Sequence, residues 1–186
     1  MTAPFRLVTG HLIDLSNPDF SGMAADTLVD AITTGLNNTC RFGGQLQHHY
    51  SVLSHSVAGA YLARDRGYSQ RIEILFLLHD ASEALGLGDV VSPLKALLPE
   101  YQRLEKLMMD AIYRRLGVTP PCEVEEDIIK KLDNDILQAE FKRFGVHISD
   151  PPLDAVACLR GRNACIPSAY QLKNLLTKVY PNWDQP

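Results

Sequence analysis

Three polar side chains follow an apolar run in the middle of the chain. The run 72–78 ends in His79 and Asp80, and Glu83 comes three residues after Asp80. On a helix these three side chains share one face. A neutral imidazole beside a carboxylate is part of a transition-metal site, and a glutamate one turn away can act on a metal-bound water. Taken alone, the His-Asp pair is also compatible with a helix end that leaves the core and enters water.

Two further candidate ligands lie on other predicted helices. His55 faces inward on its helix, either as a ligand or as a hydrogen-bonded core histidine. Asp133 shares a face with Ile129 and Ile136, and a carboxylate turned toward the core costs several kcal/mol unless it is paired or metal-bound. Asp135 lies nearly opposite on the same helix and is predicted to be a solvated or capping residue.

The elements that must position these residues are predicted to be mainly helical. Segments 5–8 and 11–14 flank Thr9-Gly10 and predict a short β-hairpin. Apolar residues at helical spacing, with capping residues and glycine or proline stops, then predict a series of helices. They begin at Asp26, Ser51, Ser69, Ser92, Tyr101, Pro121, Pro152 and Ser168. The expected fold is therefore one all-α domain over residues 1–186, a bundle of about seven helices with a small N-terminal hairpin.

The composition excludes several classes of protein. The chain has 186 residues, of which 46% are hydrophobic and 22% charged, and a net charge of -4. That charge argues against duplex nucleic acid or a membrane surface as the main partner. No apolar run approaches the roughly 20 residues of a membrane span, so a cytoplasmic protein is expected. The cysteines form no CxxC pair and are expected to be reduced thiols: Cys40, Cys122, Cys158 and Cys165.

Taken together, the candidate ligands resemble the H…HD…D signature of the HD-domain phosphohydrolase superfamily. Other blocks are similar as well, and the likeness covers most of residues 8–145. Residues 50–56 are similar to the superfamily's YSVAxHS block, and residues 79–95 resemble its HDxxE…GD…PxK block. Residues 41–44 match its RFxG element, and Asp133 and Glu140 match its DxxxxxxE stretch. One departure is that segment 84–87 is one residue longer than the commoner spacing, which affects where Asp89 points.

The resemblance implies a metal-dependent hydrolase of deoxynucleotides. Two groups are similar: phage dATP triphosphohydrolases, which release triphosphate from dATP, and bacterial 5′-deoxynucleotidases, which act on deoxynucleoside monophosphates. The loop Asn17-Pro18-Asp19 is more similar to the phage group. Both groups form homo-oligomers, so a homo-oligomer is expected. A non-catalytic nucleotide sensor and a purely structural helical domain are the alternatives from other classes.

The resemblance also implies a role for each residue. The expected metal ligands are His55, His79, Asp80 and Asp133, a set suited to zinc, cobalt or manganese, with magnesium or a second divalent ion accompanying the phosphates. Glu83 and Asp89 are the expected catalytic residues, and the expected substrate-binding residues are Arg41, Lys95, Phe20 and Phe42. Each also has an ordinary alternative. Glu83 can be a surface glutamate and Asp89 a loop cap, the two cations can be solvated, and the two aromatic residues can belong to the core.

Overall fold

An N-terminal hairpin precedes a succession of helices. The computed structural model describes residues 2–145, 150–160 and 169–184. Strands β1 (Pro4–Arg6) and β2 (Leu12–Asp14) pair antiparallel. The helices described are α1 (Ala25–Asn38), α2 (Val52–Asp65), α3 (Gln70–Leu78), α4 (Ser92–Lys95), α5 (Pro99–Arg115), α6 (Glu123–Arg143), α7 (Leu153–Arg160) and α8 (Ala169–Val179). Two 3₁₀ turns, Phe42–Gly44 and Ala81–Leu85, complete the described elements.

The predicted all-α class is confirmed, with eight α-helices in the described ranges against the expected seven or so. The hairpin turn contains Gly10 at φ +88°. The prediction that Asp26 caps α1 is wrong, because Ala24 occupies the N-cap and Asp26 lies in the first turn. A carboxylate in that turn still interacts favourably with the helix dipole.

Helix α2 is the central element. It packs against α1, α3, α6 and α7, and buried residues occur on nearly all its sides, as expected for a helix inside a core. Ser51 caps it as predicted, since its hydroxyl accepts a hydrogen bond from the Ser54 amide. The one buried imidazole on this helix, His55, is therefore held in a rigid surrounding.

Helix α3 ends at Leu78, earlier than predicted. His79 is the C-cap, and Asp80 has φ -103° and ψ 14°, which is outside the helical range. The His79 imidazole Nδ1 donates to the Phe76 carbonyl at 2.6 Å, and this carbonyl would otherwise accept from the Asp80 amide in a continuing helix. The chain then makes the 3₁₀ turn at 81–85 and reverses at Gly86, whose φ is +107°.

The 3₁₀ turn packs closely on α1. A Cβ atom on Gly35 would lie 2.5 Å from the Ala84 carbonyl oxygen, so only glycine permits this approach. The contact holds in place the segment that carries Glu83.

Cys40, Cys122 and Cys158 are reduced thiols, whereas Cys165 lies outside the described residues. The predicted capping box at Ser168 also lies outside them. None of the helices in the described ranges combines the length and apolar composition needed to cross a lipid bilayer.

Candidate metal centre

Three helices bring the four predicted ligands together. His55 lies in the first turn of α2, His79 and Asp80 follow the end of α3, and Asp133 lies midway along α6. Because α2 contacts both α3 and α6, His55 lies close to His79 and Asp80, 24 and 25 positions further along the chain, and to Asp133, 78 positions further along.

His55 presents one ring nitrogen as a possible ligand. Its Nδ1 lies 2.9 Å from Glu140 Oε1, and a carboxylate can only accept, so Nδ1 carries the proton of the neutral ring. Its Nε2 lies 3.0 Å from Asp133 Oδ1 but has no hydrogen-bond partner of good geometry. The side chain is 0% exposed. A buried lone pair is thus directed at the centre of the cluster.

His79 has the same tautomer for a different reason. Its Nδ1 donates to the Phe76 carbonyl, which leaves Nε2 as the free nitrogen, 3.1 Å from Asp80 Oδ2. The His55 and His79 ring centroids are 5.4 Å apart. Ligand atoms of His55, His79 and Asp80 all lie within 4.8 Å of one another. Two imidazole nitrogens and two carboxylates form a donor set suited to a divalent transition metal.

The carboxylates and the imidazole Nε2 atoms of the cluster favour a positive charge between them. Burial lowers the pKa of His79, but the adjacent Asp80 carboxylate outweighs this and raises it to about 9. Burial raises the pKa of Asp80, and His79 outweighs it, so the net shift is downward. Each unprotonated Nε2 facing a carboxylate oxygen would be repelled, so either protons or a metal ion must lie between them. The residues present therefore fit a bound cation.

A cavity of about 350 Å³ opens beside these ligands. We call it the carboxylate cavity because Asp80, Glu83, Asp89 and Asp133 all line it. Its other walls are cationic and apolar, and include Arg41, Lys95, Phe42, Val91, Leu137 and Phe141. Every predicted site residue except His55, His79 and Phe20 lines this cavity.

Glu83 lines the cavity from the 3₁₀ turn Ala81–Leu85 and not, as predicted, from a continuation of α3. Its side chain is 5% exposed, and Oε2 has no hydrogen-bond partner. Burial, followed by repulsion from Asp80 and Asp89, raises its pKa to about 9. The pKa of Asp89 is raised as well, first by burial and against the attraction of Arg41. Carboxyl groups with such shifts can hold or transfer a proton near neutral pH.

The two predicted phosphate-binding cations both have carboxylate partners. Arg41 Nη2 donates to Glu140 Oε2 at 3.1 Å, and its Nη1 lies 3.9 Å from Asp80 Oδ2. Lys95 Nζ lies 2.7 Å from Glu105 Oε1 and 3.7 Å from Glu83 Oε1. Arg41 is fixed more firmly because its partner Glu140 is completely buried.

Phe42 occupies a strained backbone position at the rim of the cavity. Its φ is +58°, and Gly43 and Gly44 also have positive φ. A bulky residue in this region is an outlier of the kind that occurs at ligand sites. The ring contacts Phe141 with a centroid distance of 5.6 Å, so the two aromatic rings form one wall.

Phe20 is a correction to the predicted site. Its side chain is buried in the hydrophobic core and borders a different cavity, formed with Arg114, Arg115 and Trp183. It does not line the carboxylate cavity. Its sequence neighbours Pro18 and Asp19 suggested a substrate loop, but helix packing turns the ring inward.

Glu140 and Tyr50 are polar residues whose roles sequence reasoning did not assign. Glu140 is 0% exposed and accepts from His55 Nδ1, from Arg41 and, at 2.9 Å, from the Tyr50 hydroxyl. It follows Asp133 by seven residues, two turns of α6, and this spacing placed it on the same face.

Asp135 points away from the ligands as expected, but it is paired with Arg66 at 2.6 Å instead of being solvated.

Comparison with known proteins adds one relative. No protein-family model matches the chain. The chain is 36% identical over 121 residues to the uncharacterized protein YfdR of Escherichia coli (strain K12). The similarity spans 65% of this chain and 63% of that protein, less than two thirds of each. The name of this relative states no activity, so function must be inferred from the geometry above.

Proposed function

We propose that the protein is a metal-dependent phosphohydrolase of the HD-domain superfamily that converts dATP to deoxyadenosine and triphosphate. The observation that supports this most directly is the pair of imidazoles. Both Nδ1 atoms are bound to acceptors, and both Nε2 atoms face carboxylates beside an open cavity. Zinc, cobalt or manganese suits the donors His55, His79, Asp80 and Asp133, and magnesium or a second divalent ion accompanies the substrate phosphates.

A divalent ion held by His55, His79, Asp80 and Asp133 would supply Lewis acidity, lowering the pKa of a water and polarising the phosphorus atom. Arg41 and Lys95 hold the phosphate oxygens of the substrate. The water oxygen bonds to the α-phosphorus while the bond from phosphorus to the 5′ oxygen breaks. Glu83 accepts the proton of the water and returns it to the departing 5′ oxygen, assisted by Asp89.

Glu83 is suited to this role once positive charge occupies the centre. Its pKa is raised by burial and by the charges of Asp80 and Asp89. A cation held beside Asp80 would offset part of that repulsion and would lower the pKa of Glu83 from its raised value. A carboxyl group whose pKa lies near neutrality both accepts and donates protons efficiently. Phe42 and Phe141 form the wall against which a base packs.

A 5′-deoxynucleotidase acting on monophosphates is the second candidate. The carboxylate cavity offers Arg41 and Lys95 as its cations, and both are already paired with carboxylates. Because little positive charge is left to bind phosphates, this arrangement favours a monophosphate. A triphosphate would need further cations to accompany it.

Product analysis with the metal-loaded protein separates the two candidates. Deoxyadenosine and triphosphate from dATP support the first, whereas orthophosphate from dAMP with dATP untouched supports the second. Glu83→Gln is expected to lower turnover at least ~100-fold with the metal retained, and His79→Ala to lose the metal. His49→Ala, at an exposed histidine, is the matched control.

Three results would contradict the proposal. Undiminished turnover in Glu83→Gln removes this residue from the chemistry. Full metal content in His79→Ala refutes the ligand set. Tight nucleotide binding without hydrolysis under all metals would indicate a nucleotide sensor.

The proposal also includes a cytoplasmic location and a homo-oligomeric state. Exposed leucines on and after α4, including Leu94 and Leu97, offer an apolar surface that association could cover. Light scattering coupled to size-exclusion chromatography measures the oligomer directly.

A further inference from the structure

The segment that follows the 3₁₀ turn carries two residues of the candidate site. We call residues 86–98 the cavity segment, because residues 89–93 and Lys95 line the carboxylate cavity. None of residues 86–98 is buried, and Leu87 packs against the core while remaining partly exposed. Burial of apolar side chains therefore contributes little to holding this segment in place.

The Asp89 side chain does not fix its own position. Its carboxylate makes no hydrogen bond and no salt bridge with the residues that the structure describes. The charges of Arg41 and Lys95 attract it from beyond hydrogen-bond distance. The place of this carboxyl group in the cavity is therefore determined by the backbone that carries it.

Tyr101 of α5 holds the peptide that precedes Asp89. Its hydroxyl donates to the Gly88 carbonyl at 2.8 Å, and the Gly88 amide donates to the Glu83 carbonyl at 3.0 Å. Both backbone groups of Gly88 are thus hydrogen-bonded. Because the Gly88 carbonyl and the Asp89 amide belong to one planar peptide unit, the Tyr101 hydroxyl fixes the unit from which Asp89 extends.

Other groups of α5 contact the cavity segment at Lys95. The Lys95 ammonium lies 5.5 Å from the centroid of the Tyr101 ring and 2.7 Å from Glu105 Oε1. The Gln102 side chain donates to the Lys95 carbonyl at 2.9 Å. In the described ranges, by contrast, the Tyr101 hydroxyl is the only α5 group that hydrogen-bonds to Gly88 or Asp89.

We propose that Tyr101 is a positioning residue for the hydrolysis, which holds the Asp89 carboxyl group in the carboxylate cavity through its hydrogen bond to the Gly88 carbonyl. This inference rests on the proposed function and deepens it, because it names a group on which the second carboxyl of the proton transfer depends. Tyr101 does not itself line the cavity, so its effect on turnover passes through Asp89.

The variant Tyr101→Phe removes the hydroxyl and keeps the ring beside Lys95. We use metal-loaded protein and whichever of dATP and dAMP the wild type cleaves. The kcat should fall about fivefold, the effect of one neutral hydrogen bond, and KM should change less than twofold because Lys95 keeps its partners. Tyr68→Phe, at a half-buried tyrosine that packs against the core, is the matched control and should behave like the wild type.

A double variant tests whether the effect passes through Asp89. Asp89→Asn removes the carboxyl group that Tyr101 is proposed to position. Adding Tyr101→Phe to Asp89→Asn should therefore lower kcat no further, because residues that act in one chain of contacts are not additive. A further fivefold loss in that background would overturn the proposal.

Amide hydrogen exchange gives a readout that needs no turnover. Peptides that cover residues 86–91 should exchange faster in metal-loaded Tyr101→Phe than in the wild type or in Tyr68→Phe, whereas peptides from α2 should not change. Unchanged exchange in the cavity segment, or equal kcat in Tyr101→Phe and Tyr68→Phe, would overturn the role of Tyr101. Faster exchange there in a protein that hydrolyses no nucleotide would support the role of Tyr101 in holding the segment and refute the proposed function.

Discussion

At the scale of single residues, Glu140 orients several side chains of the candidate site at once. One carboxylate accepts from a candidate metal ligand, His55, from the arginine of the carboxylate cavity, Arg41, and from Tyr50. Burial raises its pKa, but His55 and then Arg41 outweigh that, so the net shift is downward and the group stays charged. Glu140 thus determines which nitrogen of His55 is free and where Arg41 points.

Glu140→Gln should weaken metal binding by about 10- to 100-fold, the usual effect of losing a residue that orients a ligand. An amide keeps one acceptor oxygen but turns two donor hydrogens toward either His55 or Arg41. Competition with a coloured chelator measures the metal affinity. Glu123→Gln, at an exposed position in the first turn of α6, is the control and should bind metal like the wild type.

Equal metal affinity in both variants would show that His55 keeps its orientation without the charge of Glu140. If Glu140→Gln is less stable than the wild type but its folded form binds metal with the same affinity, Glu140 has a structural role only. Unfolding in urea, with and without metal, separates these outcomes.

The single residues also show how far sequence reasoning extends. His55, His79, Asp80 and Asp133 could be selected as candidate ligands from the sequence because their residue types suit a metal and each lies on or next to a predicted helix. The role of Glu140 depends on three contacts across 85 to 99 residues of chain, which no local pattern encodes.

At the scale of elements, the approach of α2 to α3 controls the site. A Cβ atom on Gly59 would overlap the Phe76 ring. Phe76 is fully buried, and its ring centroid lies 4.5 Å from that of His79 and 5.9 Å from that of His55. Its carbonyl also accepts from His79 Nδ1. The space left by one glycine therefore sets the position of both imidazoles.

Gly59→Ala should destabilise the protein by about 1–3 kcal/mol, since overpacking a filled core forces side chains from their rotamers. Metal affinity should fall with it, because Phe76 cannot move without moving His79. Urea unfolding measures the first effect and chelator competition the second. Gly22→Ala is the control, since a Cβ there meets nothing within 4 Å. An unchanged unfolding midpoint in Gly59→Ala would mean that Phe76 has room to shift.

The end of α3 shows why element boundaries were harder to predict than elements. The pattern placed His79, Asp80 and Glu83 on one continuous helix, but the His79 side chain occupies the carbonyl that the helix needs. A competition between side chain and backbone for one acceptor is decided by tertiary packing, not by propensity.

At the scale of the whole molecule, Arg71 connects distant parts of the chain. It donates to Glu125 in the first turn of α6, to the carbonyls of Thr119 and Pro120, and to the hydroxyl of Tyr180 after α8. A planar guanidinium with five donors suits such a junction. The contacts join α3 to both the α5–α6 connection and the C-terminal helix.

The Glu125 carboxylate gives this junction a pH dependence. Hydrogen bonds from Arg71 are the main cause that lowers its pKa from 4.5 to about 2. A group with a lowered pKa stabilises the fold above its unfolded pKa and loses that effect as it is protonated. The contribution should therefore be complete above about pH 5 and disappear between about pH 4.5 and 2.

Glu125→Gln should accordingly be less stable than the wild type by about 1–2 kcal/mol at pH 7, and the difference should shrink as the pH falls to 3. Chemical unfolding at four pH values measures it. Glu100→Gln is the control and should be nearly neutral, because within the described ranges Glu100 is paired with Arg103 alone, on an exposed surface. A difference independent of pH would show that the junction does not depend on the charge of Glu125.

The arrangement of cavities could not be predicted from the sequence. Phe20 and Phe42 are both aromatic residues in or next to loops, yet one is buried in the core and the other borders the ligands. Likewise, the α6 pattern gave no sign that Lys130 and Asp133 border different cavities. Both facts depend on how the helices pack against one another, which no local pattern encodes.

The proposed ligands differ greatly in how far they reach water. The side chain of Asp133 is 43% exposed, those of Asp80 and His79 are 19% and 14% exposed, and that of His55 is 0% exposed. If these four residues hold an ion, as proposed, we expect it to contact Asp133 first on entry and to leave His55 last, because His55 is the least exposed of the four. Release from the buried imidazole would then need internal motion of the protein, so the rate of metal loss should become independent of chelator concentration once chelator is in excess.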